Sequence, residues 1–544
     1  MNRPLVFLSA AALLASPILH AQTPGEVRAQ HALEAAKSQG PPELYALLKT
    51  MPKGADLHMH LSGAVYAETF IAEAAREGLC VAPVDPGTPA VPEGQDAVRF
   101  AAPQNNELSH CAAGQVSAAD ALKRQPLYDD LIDSFSMRAF VPSEGINGHD
   151  QFFATFDRFS GLKNVQGEWL DEVATRAAAQ NEQYLEIMQT PTFSHAAELG
   201  YKIGWPESLN RSVGTFDTEA LAHLRDQLLA GGLRDEVAAD EKEFSQAEAQ
   251  RRQIEYCDRK SGTDRVHLPA CEVKIHFIYQ VLRGFPPQQV FAQTLLAFEV
   301  AQAELDSGHP DVVGLNFVMP EDGRISMHDY HLQMLMLDYL HSIYPRVHIT
   351  LHAGELAFGM VPPSGLSFHI REAVELGHAE RIGHGVDVLY ETDPRALLKE
   401  MAQKHIAVEV NLTSNDVILG IKGTNHPLHA YMAAHVPFAL STDDEGVSRI
   451  DLTHEYVKAV VEQNLTYADL KASARASLEH SFLPGVSLYP TSDDYAHRVR
   501  ACATPIAEHS TPSRDCQALL DSSEKAAQQY ELERRFAAFE SVVR

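Results

Sequence analysis

Eight strand-like runs separated by helix-like ones constrain this chain more than any other feature. They lie at 55–61, 184–188, 273–279, 312–318, 347–352, 381–383, 406–411 and 437–442. Helical patterns fall between them, for example at 287–306 and 328–344. Strands alternating with helices build parallel sheets, because a parallel neighbour needs a crossover long enough to hold a helix. Eight such units predict an α/β fold, a closed (β/α)8 TIM barrel. The rest of the 544 residues is then appendage. Residues 22–52 read as an N-terminal helical segment, 53–485 as the barrel, and 486–544 as a C-terminal helical extension whose 522–542 form an amphipathic helix outside it. Two stretches, about 79–125 and 192–269, are too long for simple loops and read as insertions. The first is rich in Pro, Gly, Ala and Asn; the second is polar and helical, with a charge run at 235–252 that reads as a solvated face. Phe152, Phe153, Phe156 and Phe159 recur at helical spacing and read as core.

In such barrels the reacting groups come from the C-terminal ends of the strands. The unusual polar clusters all fall there. His58-Met59-His60 ends the first run, and residues i and i+2 of a strand share a face, so the two imidazoles converge while Met59 turns away. Leu351-His352-Ala353-Gly354-Glu355 ends the fifth run, Arg381-Ile382-Gly383-His384-Gly385 the sixth, and Ser441-Thr442-Asp443-Asp444 the eighth. Three imidazoles and one carboxylate suit a catalytic zinc shell that leaves room for a water. Zinc can lower the pKa of such a water to about 7, which makes hydroxide available at neutral pH. A carboxylic acid beside it can move protons, and a further histidine can orient the water. The chain has 27 histidines, so most are bystanders. His369, His378 and His405 are expected at the surface or in support.

Charge and cysteines narrow the class. A formal net charge of −29 argues against a nucleic-acid backbone or an anionic membrane as main partner, though not against a small nucleoside in a local pocket. Arg3, the apolar stretch 4–18 and the small Ala21 read as a secretory signal over 1–21, with the protein secreted to the periplasm. None of the six cysteines forms C-x-x-C, so a thiolate zinc site is not expected. An even count in an exported chain predicts disulfides. Six cysteines allow fifteen pairings; closeness along the chain favours Cys80 with Cys111, Cys257 with Cys271, and Cys502 with Cys516. Neither G-x-S-x-G nor a phosphate-cradling glycine loop is present, which argues against serine-hydrolase and nucleoside-triphosphate chemistry.

Together, H-x-H-L-x-G, H-A-G-E, R-I-G-H-G and S-T-D-D resemble the adenosine deaminase family over about 52–482, insertions excluded. The signal and insertions look like its secreted branches, including the adenosine deaminase-related growth factors. The resemblance implies one Zn2+ per chain, held by His58, His60, His352 and Asp443. It implies Glu355 as proton donor to the purine ring nitrogen beside the reacting carbon. His384 would orient or deprotonate the zinc-bound water, and Asp444 would hydrogen-bond the imidazole side of the purine. Two substrate-binding positions depart from the pattern. Ser62 stands where the family commonly has an aspartate for the sugar 5′-hydroxyl, and Met319 where it has a glycine whose N–H meets the purine. The expected activity is hydrolytic deamination of adenosine and 2′-deoxyadenosine. The alternatives are another 6-aminopurine nucleoside such as methylthioadenosine, a different barrel metal hydrolase, or a secreted nucleoside-binding or signalling module. The expected partner is a small purine nucleoside, with no nucleic acid and no membrane span; a homodimer stays open.

Overall fold

A computed structural model describes residues 22–84, 97–138, 140–142, 146–163, 165–210, 216–257 and 268–543. The leader read at 1–21 lies outside the described residues. Strand β1 (Gly54–His60) opens the barrel. The first insertion then contributes β2 (Cys80–Pro83), β3 (Val98–Ala101) and β4 (Val116–Ser117). The barrel resumes with β5 (Glu182–Gln189), β6 (Lys274–Leu282), β7 (Val312–Val318), β8 (His348–Ala353), β9 (Arg381–His384), β10 (Ala407–Val410) and β11 (Phe438–Leu440). Each expected run therefore carries one barrel strand. They pair in parallel in the order β1-β5-β6-β7-β8-β9-β10-β11. Among the described residues, a single parallel bridge, Met59 to Asp443, joins the first strand to the chain beyond the last. Its hydrogen bonds are His60 N–H to Asp443 O at 3.2 Å and Asp443 N–H to His58 O at 2.8 Å.

β1, β7, β9, β10 and β11 are buried along their whole length, as strands covered by helices must be. Crossover helices such as Pro287–Ser307 and Arg324–Ile343 press apolar faces onto them. The barrel interior holds an ionic chain. Buried Arg381 places Nη2 at 2.7 Å from Glu186 Oε2 and Nε at 2.5 Å from Glu409 Oε1, over the ring of Phe482. Buried charges are tolerated only when paired in this way.

The appendages differ in one respect from the sequence reading. The first insertion, rich in turn formers, contains a three-stranded antiparallel sheet in the order β3-β2-β4. Beyond it, helix Gly148–Phe159 buries Phe152 and Phe159 in a core separate from the barrel's, where Phe70 stacks on Phe159. The second insertion forms helices Ser194–Ile203, Thr218–Ala230 and Val237–Ile254. The N-terminal segment forms two helices, Pro24–Gln39 and Pro41–Thr50, and Pro41 and Pro42 occupy the first turn of the second, where a missing N–H costs nothing. Disulfides join Cys80 to Cys111, Cys257 to Cys271 and Cys502 to Cys516, one in each insertion and one in the C-terminal extension. The last helix, Glu524–Val542, docks on Tyr467–Glu479 through a bidentate Arg475–Glu533 pair at 2.6 and 2.8 Å. Among the described residues, no helix is long and apolar enough to cross a membrane.

Candidate active site

The barrel brings its polar strand ends to one point. β1 delivers His58 and His60, β8 delivers His352, β9 ends in His384, and Asp443 and Asp444 follow β11. His60 Nε2 lies 3.2 Å from His352 Nε2 and 3.2 Å from Asp443 Oδ1. His58 Nε2 is 3.7 Å from Asp443 Oδ1, and His384 Nε2 is 3.9 Å from Asp443 Oδ2. Ligand atoms of His58, His352, His384 and Asp443 lie within 4.8 Å of one another, as do those of His60, Asp443 and Asp444.

What stands behind each imidazole sets which nitrogen carries the proton. His58 Nδ1–H donates to Glu409 Oε2 at 2.6 Å. His352 Nδ1–H donates to Asn316 Oδ1 at 2.8 Å, and His60 Nδ1–H to Gln280 Oε1 at 3.3 Å. In all three the Nε2 lone pair is left facing the common point. Against its burial, Arg381 and His58 hold the Glu409 carboxyl down at about 2, so it is an anion behind His58. Ser414 Oγ–H donates to Asp443 Oδ2 at 2.6 Å.

This arrangement fits a bound cation. His58 Nε2 is buried without a hydrogen-bond partner, a state that folded proteins avoid. Burial opposes charge on His60, yet Asp444 and Asp443 raise its imidazole, so the pocket favours a positive charge at Nε2, either a proton or a cation in its place. Burial and then the surrounding imidazoles push His352 well below its usual range, leaving it neutral with a free lone pair. Two other carboxyls lie beside this set. Burial, then Asp443 and Glu321, raise Glu355 well above the ordinary carboxyl range, which favours its protonated form. Burial and Asp443 raise Asp444 in the same direction. Glu355 Oε1 is 3.6 Å from His384 Nδ1.

Several supporting residues were not expected from the sequence. Glu321 accepts the backbone N–H groups of Gly354 at 3.0 Å and Glu355 at 2.7 Å, and His369 Nδ1–H at 2.5 Å, so it fixes the turn that aims Glu355. Arg283, also buried, donates to His352 O and Met319 O. Gly63, the last residue of the first motif, lies against Asp444, and a Cβ there would land on the Asp444 carboxylate.

The two departures also find places. Met319 has φ +92°, in the left-handed region that suits glycine and strains other residues. Its thioether folds back to accept the Gly284 N–H at 3.3 Å. Ser62 lies in the short helical turn Leu61–Ala64, half-buried between His60 and Gly63.

Fold and donor set define a (β/α)8 barrel whose strand ends gather a candidate metal centre. Residues 287–487 match the model of the adenosine deaminase family. The adenosine deaminase of Escherichia coli (strain SE11) is 36% identical over 137 residues, which are 25% of this chain and 38% of that protein. This chain thus spans about 38% of the length of the curated relatives it matches. Among solved structures, the N6-methyl-AMP deaminase from Arabidopsis thaliana is 20% identical, with TM-score 0.47 over 81% of this chain and 94% of that one. An adenine deaminase from Arthrobacter aurescens is 17% identical, with TM-score 0.39 over 80% and 94%.

Proposed function

We propose that this chain is a zinc-dependent aminohydrolase. It replaces the 6-amino group of adenosine and 2′-deoxyadenosine by oxygen from water, giving inosine or 2′-deoxyinosine and ammonia. The observation that carries this reading is the convergence of three imidazole Nε2 atoms and Asp443 beside the buried carboxyl of Glu355. His58, His60, His352 and Asp443 would hold the metal; three nitrogens and one oxygen are a donor set that suits Zn2+. The bound ion supplies a Lewis acid that makes water acidic enough to attack at neutral pH.

The chain's own residues do the rest. Glu355 enters protonated and gives its proton to the ring nitrogen beside the reacting carbon, so that negative charge does not build there. Asp444, protonated in its buried site, donates to the imidazole side of the purine. His384 faces the same point and orients or deprotonates the attacking water. Glu321 and Glu409 touch no substrate; they hold Glu355 and His58. Three disulfides support export to an oxidising compartment such as the periplasm.

A second substrate reading rests on Ser62. With serine and not a carboxylate at position 62, a 5′-thioether such as methylthioadenosine leaves no buried charge unpaired there. Ammonia release from adenosine, 2′-deoxyadenosine, methylthioadenosine, adenine and AMP separates these readings. The protein is assayed as purified, after chelation, and after zinc is returned. The proposal expects activity that disappears on chelation, returns with zinc, and is highest on a 6-aminopurine nucleoside. Zinc-loaded protein that frees no ammonia from any of them would overturn it.

A further inference from the structure

His384 differs from the other three imidazoles in what stands behind it. The Nδ1 atoms of His58, His60 and His352 each face an oxygen. His384 Nδ1 faces amide nitrogens: Asn415 Nδ2 at 2.9 Å and Asn411 Nδ2 at 3.5 Å. Which way the Asn415 amide points is fixed by a chain ending in a group of known polarity. The backbone N–H of Leu428 donates to His426 Nδ1 at 3.2 Å. That nitrogen is therefore the acceptor, and in a neutral imidazole the proton must sit on the other nitrogen. Burial pushes His426 down to about 3, so it is neutral at working pH. Its Nε2–H then donates to Asn415 Oδ1 at 3.0 Å. With the oxygen so engaged, Asn415 turns its NH2 towards His384 Nδ1. Glu355 Oε1, at 3.6 Å from the same nitrogen, is too far to compete.

We infer that the chain Leu428 N–H, His426, Asn415 holds His384 with its proton on Nε2, so that His384 enters the site as a hydrogen-bond donor and not as a fourth ligand or a base. Geometry alone groups His384 with the ligands, since its Nε2 is within reach of Asp443 and of the other imidazoles. The tautomer separates them. Three imidazoles present lone pairs to the metal position; the fourth presents N–H. Its place is to hold the oxygen of the attacking water, not to take its proton. Asn415 and His426 are positioning residues that act through His384. This role for His384 rests on the aminohydrolase reading, whereas the tautomer does not.

The test is the long-range 1H–15N spectrum of metal-free protein labelled at histidine, with His384→Gln identifying the His384 signals. The expected result is the Nε2–H tautomer. The Nδ1–H tautomer would overturn the inference. Asn415→Asp provides the second arm, because a carboxylate accepts from Nδ1–H. It should move the proton to Nδ1, lower kcat by at least about tenfold and leave KM nearly unchanged. Unaltered tautomer and kcat in folded Asn415→Asp would also overturn it. His426→Gln, which keeps a donor for Asn415 Oδ1, should retain more activity than His426→Ala; equal losses count against the relay. If the wild type shows Nε2–H but releases no ammonia from any 6-aminopurine, the aminohydrolase reading has failed and the tautomer stands.

Discussion

At the scale of single residues, the site separates groups that touch the reaction from groups that aim them. Glu355→Gln removes the transferable proton while keeping the shape. Turnover should fall by about 10²–10⁴, with metal content unchanged. Near-normal turnover would show that Glu355 is not the acid. Glu409→Gln should act differently. It removes the charge that His58 Nδ1–H meets at 2.6 Å but leaves the four proposed ligands in place. Loss of such an outer partner typically weakens metal binding by about 10–100-fold, which competition with a chromophoric chelator measures. The residues that converge at the strand ends were legible in the sequence because their spacing and strand-end positions are local. Their partners were less so, because each sits on a different strand. A signal was nonetheless there. Glu409 interrupts the run Ala407-Val408-Glu409-Val410, and Asn316 interrupts Val312 to Val318. A polar side chain inside a fully buried parallel strand must find a partner, and both found an imidazole.

At the scale of elements, the eight barrel runs were legible because strands buried on both faces read as continuous apolar stretches. The small sheet β3-β2-β4 was not. Its strands are two to four residues long and lie within turn-forming sequence, so no period-2 pattern can accumulate. The C-terminal extension shows why its cysteines matter. Cys502 and Cys516 are buried in a small core with Leu488, Tyr489, Ala526 and Tyr530, apart from the barrel core. A cross-link closing about 15 residues contributes roughly 3 kcal/mol by restricting the unfolded chain. Replacing both by alanine should therefore loosen 486–522 to proteolysis while the barrel's main thermal transition moves little. A large fall in that transition, with unchanged proteolysis of the extension, would contradict this local role.

At the scale of the whole molecule, buried carboxyls decide how stability follows pH. Burial raises Glu73, Asp240, Glu304 and Glu455 to about 7 each. Their unfolded values lie near 4, at about 3.9 for Asp and 4.3 for Glu. Between the two values the folded chain binds more protons than the unfolded one, so stability falls as pH rises through about 7. Glu524 and Glu533 run the other way. Despite burial, His276 and Lys274 hold Glu524 at about 2, and Arg475 and Lys471 hold Glu533 at about 2. Their contribution is complete above the unfolded value and lost as pH falls towards 2. The net charge of −29 adds self-repulsion on the alkaline side. The thermal midpoint of metal-free protein should thus peak near about pH 5 and decline in both directions. A midpoint that climbs steadily from pH 5 to 8 would refute this balance.

The barrel seam has a consequence for how the protein is made. Thr442 Oγ–H donates to Asp56 Oδ2 across 386 residues of chain, and the only bridge at that seam is Met59 to Asp443 among the described residues. During synthesis β1 emerges early and must wait, one edge bare, until almost the whole barrel has followed it. Contacts so distant along the chain are among the slowest to form. A product cut off before Phe438 would hold seven of the eight barrel strands and three of the four proposed ligands, yet it could neither close the ring nor complete the set. Competence at this site is therefore a property of the finished polypeptide: the ribosome has to reach the last strand before the first two histidines have anything to do.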